Sequence, residues 1–197
     1  MADAPGELRR ITDLDTLKAF GHPLRMRLYR SLYVARTATA SHLAEQVDEA
    51  VSLVSYHLRK LAEHGLIEQA EAQSGDGRER WWQVVAQGLS FHDEDFRDAP
   101  EKAATHAAVG RMAFEQHADM YRAHLDSRSA WPPEWRSASF GSEYLPRLTA
   151  PELAELSREM DALMRRYSEM ARRAEEAGDT AGRENVALHV YGFPFRV

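Results

Sequence analysis

Between Ala50 and Ala62 the chain reads AVSLVSYHLRKLA, which holds two serines, a tyrosine, an arginine and a lysine but no acid. Hydroxyls and guanidinium groups are donors for phosphate oxygens and base edges, and arginine can also pair with guanine. If the segment is helical, Val54, Leu58 and Leu61 form one apolar face. A rotation of 100° per residue then leaves Ser52, Ser55, Tyr56, Arg59 and Lys60 on or near the opposite face. A helix that enters the major groove of duplex DNA reads bases with its N-terminal half. The competing reading is the solvated polar face of an ordinary helical hairpin. Further along, Arg78 and Arg80 lie beside a glycine-rich tip, Ser74-Gly75-Asp76-Gly77. Arginines on a narrow tip can reach the minor groove or flanking phosphates. They can also pair with Asp76 and Glu79, which at a surface is worth at most about 1 kcal/mol.

The elements that must position these groups follow from spacing. Leu14, Leu17 and Phe20 make a helical stripe ending at Gly21, and His22-Pro23 opens a helix carrying Leu24, Leu28 and Leu32. Proline suits the first turn, where its missing N–H has no partner to lose. Thr39 is placed to cap a short helix with Leu43, Ala44 and Val47 on one face. A turn at Asp48-Glu49-Ala50 leads into the polar helix, and Gly65 is its expected left-handed terminator. Residues Ile67 to Ala72 and Glu79 to Val85 read as two strands of a hairpin. Trp81 and Trp82 face opposite ways on such a strand, one toward the core and one toward the rest of the chain. Helix, short helix, turn, helix and hairpin, in that order, predict a winged helix-turn-helix.

Composition sets limits on what such a chain can do. The 197 residues suffice for one ample domain or two small ones. With no cysteine, disulfides, thiolate metal sites and thiol nucleophiles are excluded. No apolar run is long enough to span a membrane, and MADAPGELRR has no apolar signal core, so a cytoplasmic location is expected. The net charge of -6 argues against a nucleic-acid partner on average. The average conceals a split: residues 1–89 hold 11 basic and 12 acidic side chains, whereas residues 90–197 hold 14 and 19. The acidic run His92-Asp93-Glu94-Asp95 marks the expected seam, giving a domain at 1–89 and a second at 90–197.

Residues Leu17 to Val85 resemble the winged-helix domain of ArsR-type bacterial transcriptional regulators. The matching runs are LKAFGHPLRMRLYRSL, ASHLAEQV, VSYHLRKLAEHGLIE and GRERWWQV, in this order and spacing. The resemblance covers about a third of the chain and implies sequence-specific binding of double-stranded DNA by a homodimer. It places Ser52, Ser55, Tyr56, His57 and Arg59 on the recognition helix, and Arg78 and Arg80 on the wing. One departure is the turn, where Asp48-Glu49 stands in place of a glycine.

The second half reads as two long helices around a Trp/Pro-rich stretch. A helix from about Pro100 to Asp126 carries Ala103, Ala107, Gly110, Phe114, Ala118, Tyr121 and Leu125 on one stripe. Thr149-Ala150-Pro151-Glu152 reads as a capping box. The helix it starts has an apolar seam through Leu153, Leu156, Met160, Leu163, Tyr167, Met170, Ala174 and Ala177, which must pack on the 100–126 helix or on a second subunit. Trp131-Pro132-Pro133-Glu134-Trp135 is a rigid aromatic loop. Residues 137–145 and 186–191 have strand character and are expected to pair in a small sheet. The fold class is therefore mainly α with small β elements, with a C-terminal part for dimerisation and effector binding. Its aromatic and methionine side chains either fill a core or line a pocket for a small organic effector.

His106, His117 and His124 share one side of the 100–126 helix, yet residues seven apart on a helix rise about 10.5 Å, too far for one metal ion. A metal-responsive regulator would need His or carboxylate ligands from both subunits, and no cofactor is expected. No phosphate-binding glycine loop, HExxH or GxSxG is present, so an enzyme is not expected. The remaining alternative is a winged-helix protein-interaction module that does not bind DNA.

Overall fold

The computed structural model describes residues 8–71, 79–86 and 88–196. They fall into two compact units, Met1–Gln116 and His117–Val197.

The first unit begins with a strand, β1 (Arg9–Ile11), followed by helices α1 (Leu14–Phe20) and α2 (Pro23–Ala35). The Thr16 N–H donates to the Asp13 carboxylate at 2.7 Å, which caps α1. His22 caps α2: the Leu24 N–H donates to His22 Nδ1 at 3.2 Å, with Pro23 in the first turn. Strand β2 (Thr37–Thr39) and helix α3 (Ala40–Val47) come next, and the Thr39 hydroxyl accepts from the His42 N–H as expected. Asp48 ends α3 in the left-handed conformation, φ 53° and ψ 56°. Asp and Asn are the non-glycine residues that tolerate it best, so the glycine missing from this turn is replaced in kind.

Helix α4 (Val51–Glu63) follows, and Gly65 at φ 64° turns the chain into β3 (Ile67–Gln69). Strand β4 (Trp81–Val84) lies antiparallel between β2 and β3, with Thr39 opposite Trp81 and Ile67 opposite Val84. The winged helix-turn-helix order is thus present, with β2 added to the two strands of the hairpin sheet. The hairpin tip, including Arg78, lies outside the described residues.

The core is continuous through Leu17, Leu28, Leu32, Leu43, Val54, Leu58 and Leu61, all fully buried. It also takes in residues from outside the winged helix-turn-helix: Ile11, Phe96 and Val109. Ile11 arrives on β1, which pairs in parallel with β5 (Leu89–Phe91). Phe96 follows a 3-10 turn at Asp93–Asp95, and Val109 lies on helix α5 (Pro100–Ser127). A Cβ on Gly21 would come within 2.6 Å of Val109 Cγ2, so only glycine lets the end of α1 approach α5 this closely.

The acidic stretch at 92–95 is tethered to β1. Arg10 forks onto Asp95 at 2.8 and 2.9 Å and also pairs with Glu94, so β1 and the 3-10 turn are tied together. That partner holds the Asp95 carboxyl below the usual carboxylate range.

In the second unit, a 3-10 turn at Arg128–Ala130 and helix α6 (Pro133–Ala138) occupy the stretch read as an aromatic loop. Trp131 and Trp135 lie 6.3 Å apart across it. Helix α7 (Ala150–Glu176) opens with the expected capping box: the Thr149 N–H donates to Glu152 at 2.7 Å, and the Thr149 hydroxyl accepts from the Glu152 N–H. The two expected C-terminal strands do not form. Residues 139–149 and 179–196 carry no regular structure, because alternation alone cannot supply the ladder hydrogen bonds that a neighbouring strand must give. The apolar rows of this unit are exposed: Tyr121 at 53%, Tyr167 at 51% and Phe193 at 69%.

Candidate nucleic-acid interface

Helix α4 buries Val54, Leu58 and Leu61 completely, which fixes its rotation about its own axis. The side chains opposite are set accordingly. Ser52, Tyr56 and Arg59 are exposed, and Ser55 and Lys60 are half-buried. Among the described residues Arg59 has no ion-pair partner, whereas Lys60 donates to Glu63 at 2.6 Å. Tyr56 leaves 46% of its surface in solvent, an aromatic ring with a hydroxyl on an otherwise polar face.

His57 is placed differently from its neighbours. It is 5% exposed and lies on the buried side of α4, with its ring 4.5 Å from His22 and 5.2 Å from Tyr56. Arg25 Nη1 stands 3.5 Å from His57 Nδ1, and arginine can only donate, so Nδ1 must accept and the proton sits on Nε2. His22 is constrained in the same way by the Leu24 N–H. Burial, then the neighbouring His22 and Arg25, push the His57 imidazole below its ordinary value, against a smaller opposing effect from Glu49. Burial and Arg25 do the same to His22. Both rings are therefore neutral at pH 7, and both lose a hydrogen bond if Nδ1 is protonated.

Two arginines that spacing does not single out position α4. Arg25 also donates to the carbonyls of Ala19 and Lys18 at the C-terminal end of α1, so one side chain joins α1, α2 and His57. Arg9, on β1, donates to the Gly65 carbonyl and, at 3.1 Å, to that of His64. It satisfies the unpaired carbonyls at the negative end of α4. The His-Pro-x-Arg run gives a clue to Arg25, while Arg9 has no sequence signal, since its partners are backbone atoms 55 and 56 residues away.

At the other end of α4 the N-cap, Ala50, makes no side-chain bond, and the first turn has no acid. Free N–H groups there attract phosphate. The turn beside them, however, forms an open groove of about 460 Å³ lined by Glu45, Asp48 and Glu49 among others. Three carboxylates repel a phosphate that the partial charge of a helix end attracts, so this end of α4 is a poor anion site. At the base of the wing Arg80 is exposed and has no partner among the described residues. It does not pair with Glu79, whose carboxylate accepts from the Ser41 hydroxyl at 3.3 Å. Trp82 joins the core, and Trp81 packs edge-on to His42 of α3 at 5.4 Å.

The remaining histidines do not converge. His106 stacks on Phe96 at 5.0 Å, His117 stacks on His189 at 3.7 Å and hydrogen-bonds Tyr191, and His124 lies beside Tyr121. Among the described residues no three His, Asp or Glu side chains are grouped to hold a metal ion. An open groove of about 590 Å³ in the second unit is lined by Arg128, Arg136 and Asp126, not by the aromatic and methionine side chains. Among the described residues no helix is long and apolar enough to cross a membrane.

Residues 20–70 match the family described as "Helix-turn-helix domain". No curated protein matches the chain. Among solved structures, similarity extends to a "possible transcriptional regulator for arsenical resistance", 26% identical over 56% of this chain and 96% of that one, with a TM-score of 0.32. A MarR family transcription regulator is 17% identical over 80% and 79% of the two chains, with a TM-score of 0.32. Wild-type ZitR of Lactococcus lactis, in complex with DNA, is 16% identical over 80% and 77%, with a TM-score of 0.25.

Proposed function

From the premise that residues 20–70 are a helix-turn-helix domain, we propose that this protein is a dimeric, sequence-specific double-stranded-DNA-binding transcriptional regulator of the ArsR type. The observation that carries the proposal is the outer face of α4, where Tyr56 and Arg59 stand exposed, free of internal ion pairs, directly opposite a fully buried apolar face. Ser52, Ser55, Tyr56, Arg59 and Lys60 are assigned to the major groove and its phosphates, and Arg78 and Arg80 to the wing contact. His57 is assigned to support from within, since its ring faces His22 and Arg25. Residues 1–89 are the DNA-binding part and residues 90–197 serve dimerisation. The protein works in the cytoplasm and without catalysis. With thiolate chemistry excluded by composition, residues 90–197 respond either to a small organic effector or to none.

Selection of binding sites from a random duplex library by the purified protein tests this reading. The expected result is an enriched two-fold-symmetric motif whose half-site centres lie about 10 base pairs apart, or a multiple of that. Recovery of no preferred sequence at low salt would refute it.

A further inference from the structure

Among the described residues the seam of α7 has little cover in its own chain, with Leu153 and Met160 half-buried and Leu153 close to Gly192. Leu153, Leu156, Met160, Leu163, Tyr167 and Met170 recur three and four apart, yet no residue of this 27-residue helix is buried. Met170 is 51% exposed and Leu156 42%. An apolar stripe of this length is stable in water only against another apolar surface.

The flanking charges identify that surface. With Leu153, Met160 and Tyr167 at heptad position a, and Leu156, Leu163 and Met170 at d, the g positions are Glu152, Glu159, Arg166 and Arg173. The e positions are Ser157, Met164 and Ala171, none of them charged. Parallel pairing of two copies sets g against e and leaves all four charges unmatched. Antiparallel pairing sets g against g. When the layers close as 153 with 170, 156 with 167 and 160 with 163, Glu159 meets Arg166 and Glu152 meets Arg173. Two-fold symmetry makes each pair occur twice. A slip of one heptad sets Arg166 against Arg166. Neither Glu159 nor Arg166 has an ion pair within its own chain among the described residues; Arg166 only lies over the Tyr167 ring at 5.3 Å.

We propose that the occupant of this seam is a second copy of α7, lying antiparallel in the one register that matches these charges. The proposal deepens the dimer of the preceding section and rests on that reading for the need of a dimer. Sedimentation equilibrium of the 197-residue chain without DNA, in low salt, provides the test. Glu159→Arg and Arg166→Glu, made singly, each turn two attractions into two repulsions and should weaken association about tenfold or more. Combined in one chain, the two substitutions restore the matched pairs and should return the dimer to nearly wild-type strength. All three variants change exposed residues only, and circular dichroism confirms that the helices remain. A wild-type monomer, single variants that dimerise as the wild type does, or a double variant no better than the singles would each overturn the proposal. DNA is absent from this experiment, so its failure leaves the library selection to judge DNA binding independently.

Discussion

Arg59→Ala isolates the electrostatic part of the proposed contact. The guanidinium is exposed and has no hydrogen-bond or ion-pair partner among the described residues, so its removal leaves no buried group unsatisfied. Alanine also favours helix more than any other residue, so α4 and the core beneath it should persist. In a dimer each operator loses two phosphate contacts, one per copy. The slope of log K against log salt scales as about 0.9 per phosphate, so it should become shallower by about 1.8. Between 50 and 200 mM salt the wild type should then lose about 12-fold more affinity than the variant. Fluorescence anisotropy with the selected operator, repeated across that salt range, measures both quantities. Arg59→Lys separates the two uses of the side chain: it keeps a phosphate contact and the slope, but loses the paired donors that read guanine. An Arg59→Ala protein with unchanged affinity and slope would show that this face of α4 does not meet DNA.

Two further outcomes concern the platform beneath that face. Leu58 of α4 is fully buried in the core, and Leu58→Ala should cost about 2–5 kcal/mol, read as a lowered urea midpoint. Acid should weaken the fold through His22 and His57. The unfolded chain takes up their protons as pH falls through about 6.5, while the folded chain resists to lower pH. The unfolded state thus binds more protons, and stability present above pH 6.5 is lost as pH drops below it. Thermal melts between pH 7.5 and 5.5 should show this decline, and it should flatten in a His22→Asn/His57→Gln variant, since asparagine keeps the cap of α2.

How far the fold could be read from residues depended on whether the partners were local. Helices α1 to α4 are legible because each has both an apolar period and a nearby cap: Asp13, His22, Thr39 and Gly65. The inward placement of His57 is legible too, since a rotation of 100° per residue sets it beside Val54 and Leu61, although a resemblance between families groups it with Ser55 and Tyr56. Strands β1 and β5 are not legible. Each is three residues long, too short for a period to stand out, and each exists only because the other, about 80 residues away, supplies its hydrogen bonds. The reverse holds at Val186 to Tyr191, where alternation is clear and no neighbouring strand is present among the described residues. The role of Arg9 was out of reach for the same reason as β1.

The reach of the core beyond the helix-turn-helix bears on what can be moved between proteins. The segment that matches the family, 20–70, contains the whole of α4 but not its clamp. Arg9 caps that helix from one side of the segment, and Phe96 and Val109 close its core from the other. Specificity engineers who graft such readers as cassettes would need to carry residues 8–116 as one piece. Cut at its sequence borders, the reading head leaves behind the parts that hold it straight.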